Sequence, residues 1–62
     1  MLSESMMTVH EVSAVLKVLE ETVRSWIHVK DLRAIKFGRV WRVAVRDLES
    51  FLNARANRPM EG

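Results

Sequence analysis

The apolar residues of this chain change their spacing twice, and this change limits the folds that are open to it. Between residues 9 and 27 they recur at the spacing of one helix face. In "AIKFGRVWRV", residues 34–43, they alternate with polar residues around Gly38, as in the two strands of a hairpin. Helical spacing returns at residue 45. The pattern predicts a mainly α-helical fold with one small β-hairpin, in the order helix, turn, helix, hairpin, helix.

The first helix has a start signal in "MTVHEVSAVL". Thr8 can accept a hydrogen bond from the backbone three residues on while Glu11 reaches back, which is the spacing of a capping box. The apolar residues that follow share one face, so we expect a helix over residues 9–17. The next residues, "KVLE", break this period and are expected to form a short turn.

The second helix is predicted for "EETVRSWIH", residues 20–28. Val23, Trp26 and Ile27 share one face, which we interpret as the core side. A tryptophan at this spacing is more often a packing residue than a platform for stacking. The other side is polar, and it carries the candidate contact residues Glu21, Thr22, Arg24, Ser25 and His28.

The alternating segment also predicts a register. If residues 38–40 form a three-residue loop, the hairpin has one apolar and one basic face, with Lys36 opposite Arg42. The other predicted pairs are Phe37 with Trp41 and Ile35 with Val43. A two-residue loop would mix the faces, so the three-residue loop is our prediction.

A third helix is expected in "VRDLESFLNARAN", from residue 45. Asp47 and Glu49 lie near its positive end, where carboxylates are favourable. Its apolar face, which would pack on the core, consists of Val45, Leu48, Phe51 and Leu52. The following "RPMEG" ends it, since proline disfavours helix in the residue before it. We expect one domain over residues 8–56, with flexible ends at 1–7 and 57–62.

Length and composition exclude several classes of protein. A chain of 62 residues leaves no room for a second domain or a deep catalytic cavity. It has no cysteine, and its two histidines are too far apart in sequence for a good zinc site. It shows no nucleophile and base at plausible spacing, and "MLSESMM" has neither a basic region nor a long apolar run. We expect a cytoplasmic protein that is not an enzyme and uses no metal, cofactor, small-molecule ligand or membrane.

Positive charge is concentrated in the middle of the chain. The formal net charge is only +2, but residues 22–46 hold seven lysines and arginines against one aspartate, a local charge of +6. Residues 1–21 hold one lysine against four glutamates. Clustered cations attract a polyanion even when the total charge is small. The alternative is a solvated basic face without a partner.

Two short helices, the second with an exposed polar face, followed by a cationic hairpin are typical of a winged helix-turn-helix DNA-binding domain. Residues 8–52 resemble the excisionase-type helix-turn-helix family, small relatives of the MerR-type DNA-binding domain. The matching parts are "ETVRSWI" as recognition helix, "DLRAIKFGRVWRV" as wing and "RDLESFL" as closing helix. The resemblance implies double-stranded DNA as the partner.

In this family the second helix lies in the major groove, and the hairpin reaches the adjacent minor groove or its phosphates. The resemblance thus implies DNA contacts for Arg39 at the wing tip and for Glu21, Thr22, Arg24 and Ser25. Glu21 can accept from cytosine N4, so it would specify sequence while basic residues bind phosphates. Glu20 is interpreted as a carboxylate that complements the helix dipole, which is also the alternative for Glu21.

The remaining candidates are basic residues beside these contacts. Lys36 and Arg42, paired across the strands, would repel each other unless an anion lies between them, which favours a phosphate contact. His28 can contact DNA or only complement the helix dipole. Lys30 stands where relatives usually have a glycine before the wing. Arg33 stands where they usually have a proline after that glycine, and both residues add positive charge.

The chain also departs from the family between the first two helices. Lys17 and Leu19 stand where relatives usually have a glycine and a serine or threonine cap, so the second helix should lack a side-chain cap. Lys30 would be strained if its position is left-handed, as the glycine of relatives implies.

The resemblance implies an excisionase-like architectural factor that binds neighbouring DNA sites, often as several copies, and bends DNA to direct a partner integrase. MerR-type regulators usually continue into a long dimerising helix, and the sequence ends at Gly62, which favours this role. A short MerR-like transcriptional regulator is the first alternative. The second alternative is a protein-interaction module, whose apolar surface would consist of Trp41, Phe51, Met1, Met6 and Met7.

Overall fold

The computed structural model describes residues 5–56, which form three helices and a three-stranded antiparallel sheet. In chain order the elements are β1 (Met6–Thr8), α1 (Val9–Leu16), α2 (Glu20–His28), β2 (Ile35–Phe37), β3 (Val40–Ala44) and α3 (Val45–Ala56). In the sheet, β3 lies between β1 and β2. This architecture confirms the predicted winged helix-turn-helix fold. The predicted flexible C-terminus, and residues 1–4 of the predicted flexible N-terminus, lie outside the described residues.

The predicted capping box at the start of α1 is confirmed. The Glu11 backbone N–H donates to Thr8 Oγ1 at 3.0 Å, and the Thr8 backbone N–H donates to Glu11 Oε1 at 2.9 Å. α1 ends at Leu16, one residue before the predicted end, because Lys17 is left-handed with a φ of 58°. The backbone N–H groups of Lys17 and Val18 both donate to the Ser13 carbonyl, which directs the chain out of α1 and toward α2.

α2 has the predicted bounds, and its start lacks a side-chain cap, as expected. Leu19 is the N-cap residue and offers no side-chain hydrogen bond. Glu20 and Glu21 occupy the first turn, where their charges complement the positive end of the helix dipole. Carboxylates therefore supply part of the stabilisation that a serine or threonine cap would give.

The end of α2 sets the path of the chain toward the hairpin. Lys30 is left-handed, with a φ of 68°, so it adopts the conformation that favours the glycine usual at this position in relatives. The Trp26 carbonyl accepts from the backbone N–H groups of Asp31, at 2.9 Å, and Leu32, at 3.1 Å. These bonds satisfy a free carbonyl at the helix end and turn the chain back over the helix.

One hydrophobic core joins the helices to the sheet. Its most deeply buried side chains are Val12 of α1, Val23 of α2, Val43 of β3 and Leu32 of the α2–β2 connection, each at most 1% exposed. α3 contributes Leu48 and Phe51 to the same cluster. Leu32 is thus the residue through which the α2–β2 connection is anchored in the core.

Trp26 is a packing residue in the structure, as its spacing predicted. Its ring lies against Phe51 of α3, with ring centroids 4.9 Å apart. The Arg55 guanidinium covers this pair, at 4.5 Å from the Phe51 centroid and 5.4 Å from that of Trp26. Arg55 Nη2 also lies 3.7 Å from Asp31 Oδ2. The last turn of α3 is therefore attached to the end of α2 by aromatic and ionic contacts.

The predicted hairpin register is wrong by one residue. The observed cross-strand pairs are Phe37 with Val40, Lys36 with Trp41 and Ile35 with Arg42. Gly38 has a φ of 63°, and the residues with positive φ do not include Arg39. This is the pattern of a two-residue type II′ turn, which takes glycine at its first central position. The conformational preference of Gly38 decides the register, even though this register mixes apolar and basic residues.

The register divides the hairpin residues between two faces. Trp41 is half-buried and Val43 is fully buried, so the face that they share with Lys36 is the inner one. The other face, which we call the outer wing face, consists of Ile35, Phe37, Val40 and Arg42. Its three apolar residues are 42–50% exposed.

β1 is an element that the sequence pattern did not indicate. Its residues Met6, Met7 and Thr8 pair with Ala44, Val43 and Arg42, respectively. It uses Met6 and Met7, which the sequence interpretation assigned to a flexible N-terminus. A strand of three residues is too short to show alternation, and its last residue is also the cap of α1.

Leu32→Ala should lower the free energy of unfolding by about 2–5 kcal/mol, because it opens a cavity in the core. Leu19→Ala is the matched control, since Leu19 is 72% exposed, and should change stability by no more than about 0.5 kcal/mol. Urea unfolding followed by tryptophan fluorescence measures both. Equal effects of the two substitutions would contradict the central position of Leu32.

Lys30→Gly should raise the free energy of unfolding by about 1 kcal/mol, because a left-handed residue other than glycine is strained. Lys30→Ala is the control: it removes the same side chain but keeps the Cβ atom that causes the strain. Thermal unfolding of the two variants measures the difference. If glycine stabilises no more than alanine does, backbone strain at Lys30 is not the cause.

Candidate nucleic-acid interface

The polar side of α2 and the inner face of the hairpin border one open groove. Its lining residues are Glu21, Arg24, Ser25, Ile27, His28 and Trp41. The polar members are exposed, whereas α2 buries Val23 in the core and Ile27 between the core and the groove. Four of the five contact residues predicted on this helix are thus brought together. The fifth, Thr22, is half-buried and lies outside this lining.

A second opening continues the first one toward the α2–β2 connection. Its lining residues are Ile27, Lys30, Leu32, Arg33, Ala34 and Trp41. It shares Ile27 and Trp41 with the first, so the two are contiguous. Lys36 Nζ lies 5.6 Å from the centroid of the Trp41 ring on the inner face of the hairpin. We call the two openings together with Lys36 the interface groove.

Trp41 is a groove residue that the sequence interpretation placed elsewhere. The predicted register put it on an apolar face with Phe37 and Ile35. In the structure it lies between the α2 contacts on one side and Lys30, Arg33 and Lys36 on the other. Its indole ring therefore forms the floor between the polar helix face and the basic residues that follow the helix.

The two other predicted wing cations have different surroundings. Arg39 is exposed in the turn of the hairpin, as predicted. Arg42 lies on the outer wing face, where it is half-buried, and its Nη1 donates to the Trp41 backbone carbonyl at 3.3 Å. Since Lys36 and Arg42 lie on opposite faces, the prediction that they are paired across the strands is wrong. The electrostatic repulsion between these two side chains, from which a phosphate contact was predicted, is therefore absent.

Glu20 has two contacts that the sequence interpretation did not include. Its Oε1 accepts from Arg24 Nη2 at 3.1 Å, and its Oε2 lies 2.7 Å from His10 Nδ1. The hydrogen bond with His10 lowers the pKa of the Glu20 carboxyl, Arg24 lowers it further, and desolvation opposes both. The spacing of Glu20 and Arg24 could have indicated their pair, but nothing local in the sequence relates Glu20 to His10.

Glu21, next to Glu20, has a different environment. It is exposed at the edge of the groove, and its side chain makes no hydrogen bond or ion pair within residues 5–56. Its carboxylate is thus available to a donor outside the chain. Of the two neighbouring carboxylates, one is engaged by the protein and one is free to act in the groove.

Among residues 5–56, no helix is long and apolar enough to cross a membrane. Residues 5–56 also contain no group of three or more histidine, cysteine or acidic side chains that could hold a metal ion.

Comparison with known proteins agrees with this geometry. The family model described as a helix-turn-helix domain matches residues 6–56, from the start of β1 to the end of α3. No curated protein matches the chain significantly. No solved structure does so either.

Proposed function

This chain belongs to the helix-turn-helix domain family, of the excisionase type, and is a DNA-binding protein; from that premise we propose how it holds its DNA. α2 enters the major groove of a duplex, which is wide enough for a helix, and the hairpin lies against the neighbouring backbone. The observation that carries this proposal is the interface groove, where the polar face of α2 and three basic residues surround Trp41.

The residues of α2 supply the contacts to base edges. Glu21, Arg24 and Ser25 lie in the groove within the first two turns of the helix, and His28 lies at its end. Glu21 accepts a hydrogen bond from cytosine N4, for which its unpaired carboxylate is suited. Thr22 is half-buried, so we assign it a contact with the adjacent DNA backbone rather than with a base.

The basic residues that follow α2 supply the contacts to phosphates. These residues lie beside Trp41, next to the opening that the polar face of α2 lines, and they are Lys30, Arg33 and Lys36. Arg39, in the turn, reaches the minor groove, where the potential is most negative. Arg42 lies on the outer wing face, so we assign it the weakest contact with DNA.

The role in the cell that we propose is that of an excisionase-like architectural factor, which bends DNA and so directs a partner integrase. The resemblance of residues 8–52 to the excisionase-type family supports this assignment, and the family match supports the DNA binding that the role requires. A short MerR-like transcriptional regulator is the alternative with the same mode of binding. A protein-interaction module is favoured by a different observation, the exposed Ile35, Phe37 and Val40 of the outer wing face.

Lys36→Ala and Arg39→Ala should each weaken binding to any duplex and lower the salt slope of the binding constant by roughly one unit, because each removes a cation that neutralises a phosphate or lies along the phosphates. Arg46→Ala is the control, since it removes a cation of α3 that lies outside the interface groove. Titration of labelled duplexes at several salt concentrations measures the slopes.

In the same titrations, Glu21→Ala should leave the salt slope nearly unchanged and relax the preference at one base pair by about 1–3 kcal/mol. A cognate duplex and a scrambled one separate these effects. If Glu21→Ala weakens both duplexes equally, α2 does not read the sequence through Glu21. If the hairpin variants bind both duplexes as the wild type does, the basic residues of the hairpin need another explanation.

An excisionase-like factor should bend its site, so the ends of a bound duplex should approach each other. Energy transfer between dyes on the two ends measures the bend at saturating protein. Footprinting on the DNA around the gene then separates a recombination attachment site from a promoter. A straight duplex, together with a site inside a promoter, would favour the transcriptional regulator.

A further inference from the structure

The side-chain contacts of Glu20 carry an inference beyond the general mode of binding. We propose that Arg24 reads a guanine and that Glu20, held in turn by His10 of α1, keeps the Arg24 guanidinium in the reading geometry. The inference rests on the proposed function, because it assigns a base to one residue of the same groove. Arg24 contacts the base, whereas Glu20 and His10 are positioning residues.

The Glu20 carboxylate connects two helices. One oxygen, Oε2, lies 2.7 Å from Nδ1 of His10 on α1, and the other, Oε1, accepts from Arg24 Nη2 at 3.1 Å, one turn farther along α2. With both oxygens engaged, rotation of the carboxylate would break one of the two contacts. Glu20 therefore fixes the direction of one Arg24 N–H group relative to the two-helix frame.

The guanidinium of Arg24 keeps most of its donors for a ligand. It carries five N–H donors in a planar fork, and the contact with Glu20 engages Nη2 alone within the described part of the chain. The side chain is 57% exposed and lines the interface groove. Guanine offers O6 and N7 as two neighbouring acceptors in the major groove, which match this fork. A guanidinium that is already held loses less freedom on binding than a mobile one.

The contact with Glu20 also favours a base over a phosphate as the ligand of Arg24. A carboxylate 3.1 Å from the guanidinium offsets its charge, which weakens attraction to a phosphate anion. Recognition of a neutral guanine edge depends on direction and hydrogen bonds more than on net charge. A residue whose task is to bind phosphate gains nothing from such a partner, whereas a residue that reads a base gains orientation.

The alternative for the Glu20–Arg24 contact is a pair that stabilises α2 and has no part in recognition, as is common at this spacing. The two interpretations differ in their consequences. A stabilising pair affects binding to all duplexes through the folded fraction. A positioning pair changes the preference at one base pair and leaves the others as they were.

The experiment begins with selection of binding sites from a random duplex library by the intact chain. The enriched site is then titrated with the wild type, with Glu20→Ala and with Arg24→Lys, against each base pair at every position. We expect both variants to lower the preference for guanine at the same single position by about tenfold, a typical value for one bidentate contact. Glu20→Gln, which keeps an acceptor for Arg24, should restore part of it.

Base analogues and a control variant complete the design. Replacing that guanine by 7-deazaguanine, which lacks the N7 acceptor, should weaken the wild type more than it weakens Arg24→Lys, because lysine lacks the planar fork that engages N7 and O6 together. Glu49→Gln removes the charge of an exposed carboxylate on α3, outside the interface groove, and should keep the guanine preference. His10→Ala should show a smaller loss than Glu20→Ala, because it removes only one of the two contacts of the carboxylate. Thermal unfolding of each variant confirms that it is folded at the temperature of the titrations.

The outcomes separate the two levels of the argument. If the wild type enriches no duplex, the proposed function fails. If it enriches a site but Glu20→Ala retains the guanine preference, or weakens every duplex equally, the inference on Glu20 and Arg24 is overturned while the proposed function stands. Loss at one guanine in Glu20→Ala and Arg24→Lys, with retention in Glu49→Gln, supports it.

Discussion

The connection between α2 and β2 determines where the hairpin lies relative to α2. Left-handed Lys30 reverses the chain, and the Trp26 carbonyl accepts from the backbone N–H groups of Asp31 and Leu32. Leu32 can then enter the core, where it is 1% exposed. Without this reversal, β2 would leave α2 in another direction, and Trp41 could not form the floor of the interface groove. The backbone strain at Lys30 is tolerated because the burial of Leu32 offsets its free-energy cost.

α3 contributes to the groove without lining it. Its Phe51 packs on Trp26, and Arg55 covers both rings and approaches Asp31. These contacts fix the last turn of α2 and Asp31, the first residue after left-handed Lys30. A domain of this size has a small core, and the Arg55 guanidinium adds cover to buried Phe51 and half-buried Trp26. α2 is held from both ends, by the α1–α2 turn and by α3.

The sequence could predict those parts of the fold that are encoded locally. The helix bounds follow from apolar spacing, and the start of α1 follows from Thr8 and Glu11 alone. The hairpin register was not predicted correctly, because two signals conflicted. Separation of apolar and basic residues onto two faces favoured a three-residue loop, whereas the conformational preference of Gly38 favours the two-residue turn that the structure has. β1 depends on pairing with residues about 36 positions away, which no local pattern shows. In the site, exposed residues of α2 could be identified from the helix period, whereas the contact of Glu20 with His10 needs the packing of α1 on α2.

Two adjacent carboxylates at the start of a reading helix are compatible with a polyanionic partner because their environments differ. The charge of Glu20 is shared with Arg24 and His10, so it adds little repulsion toward phosphates and stabilises the start of an uncapped helix. Glu21 has no partner within residues 5–56, and its cost in nonspecific attraction is offset by the cations that follow α2. A uniformly basic helix would bind any duplex tightly and discriminate poorly. In the mode of binding that we propose, the basic residues of the connection and hairpin supply affinity and Glu21 on α2 supplies sequence preference, so the two are separated within a single small domain.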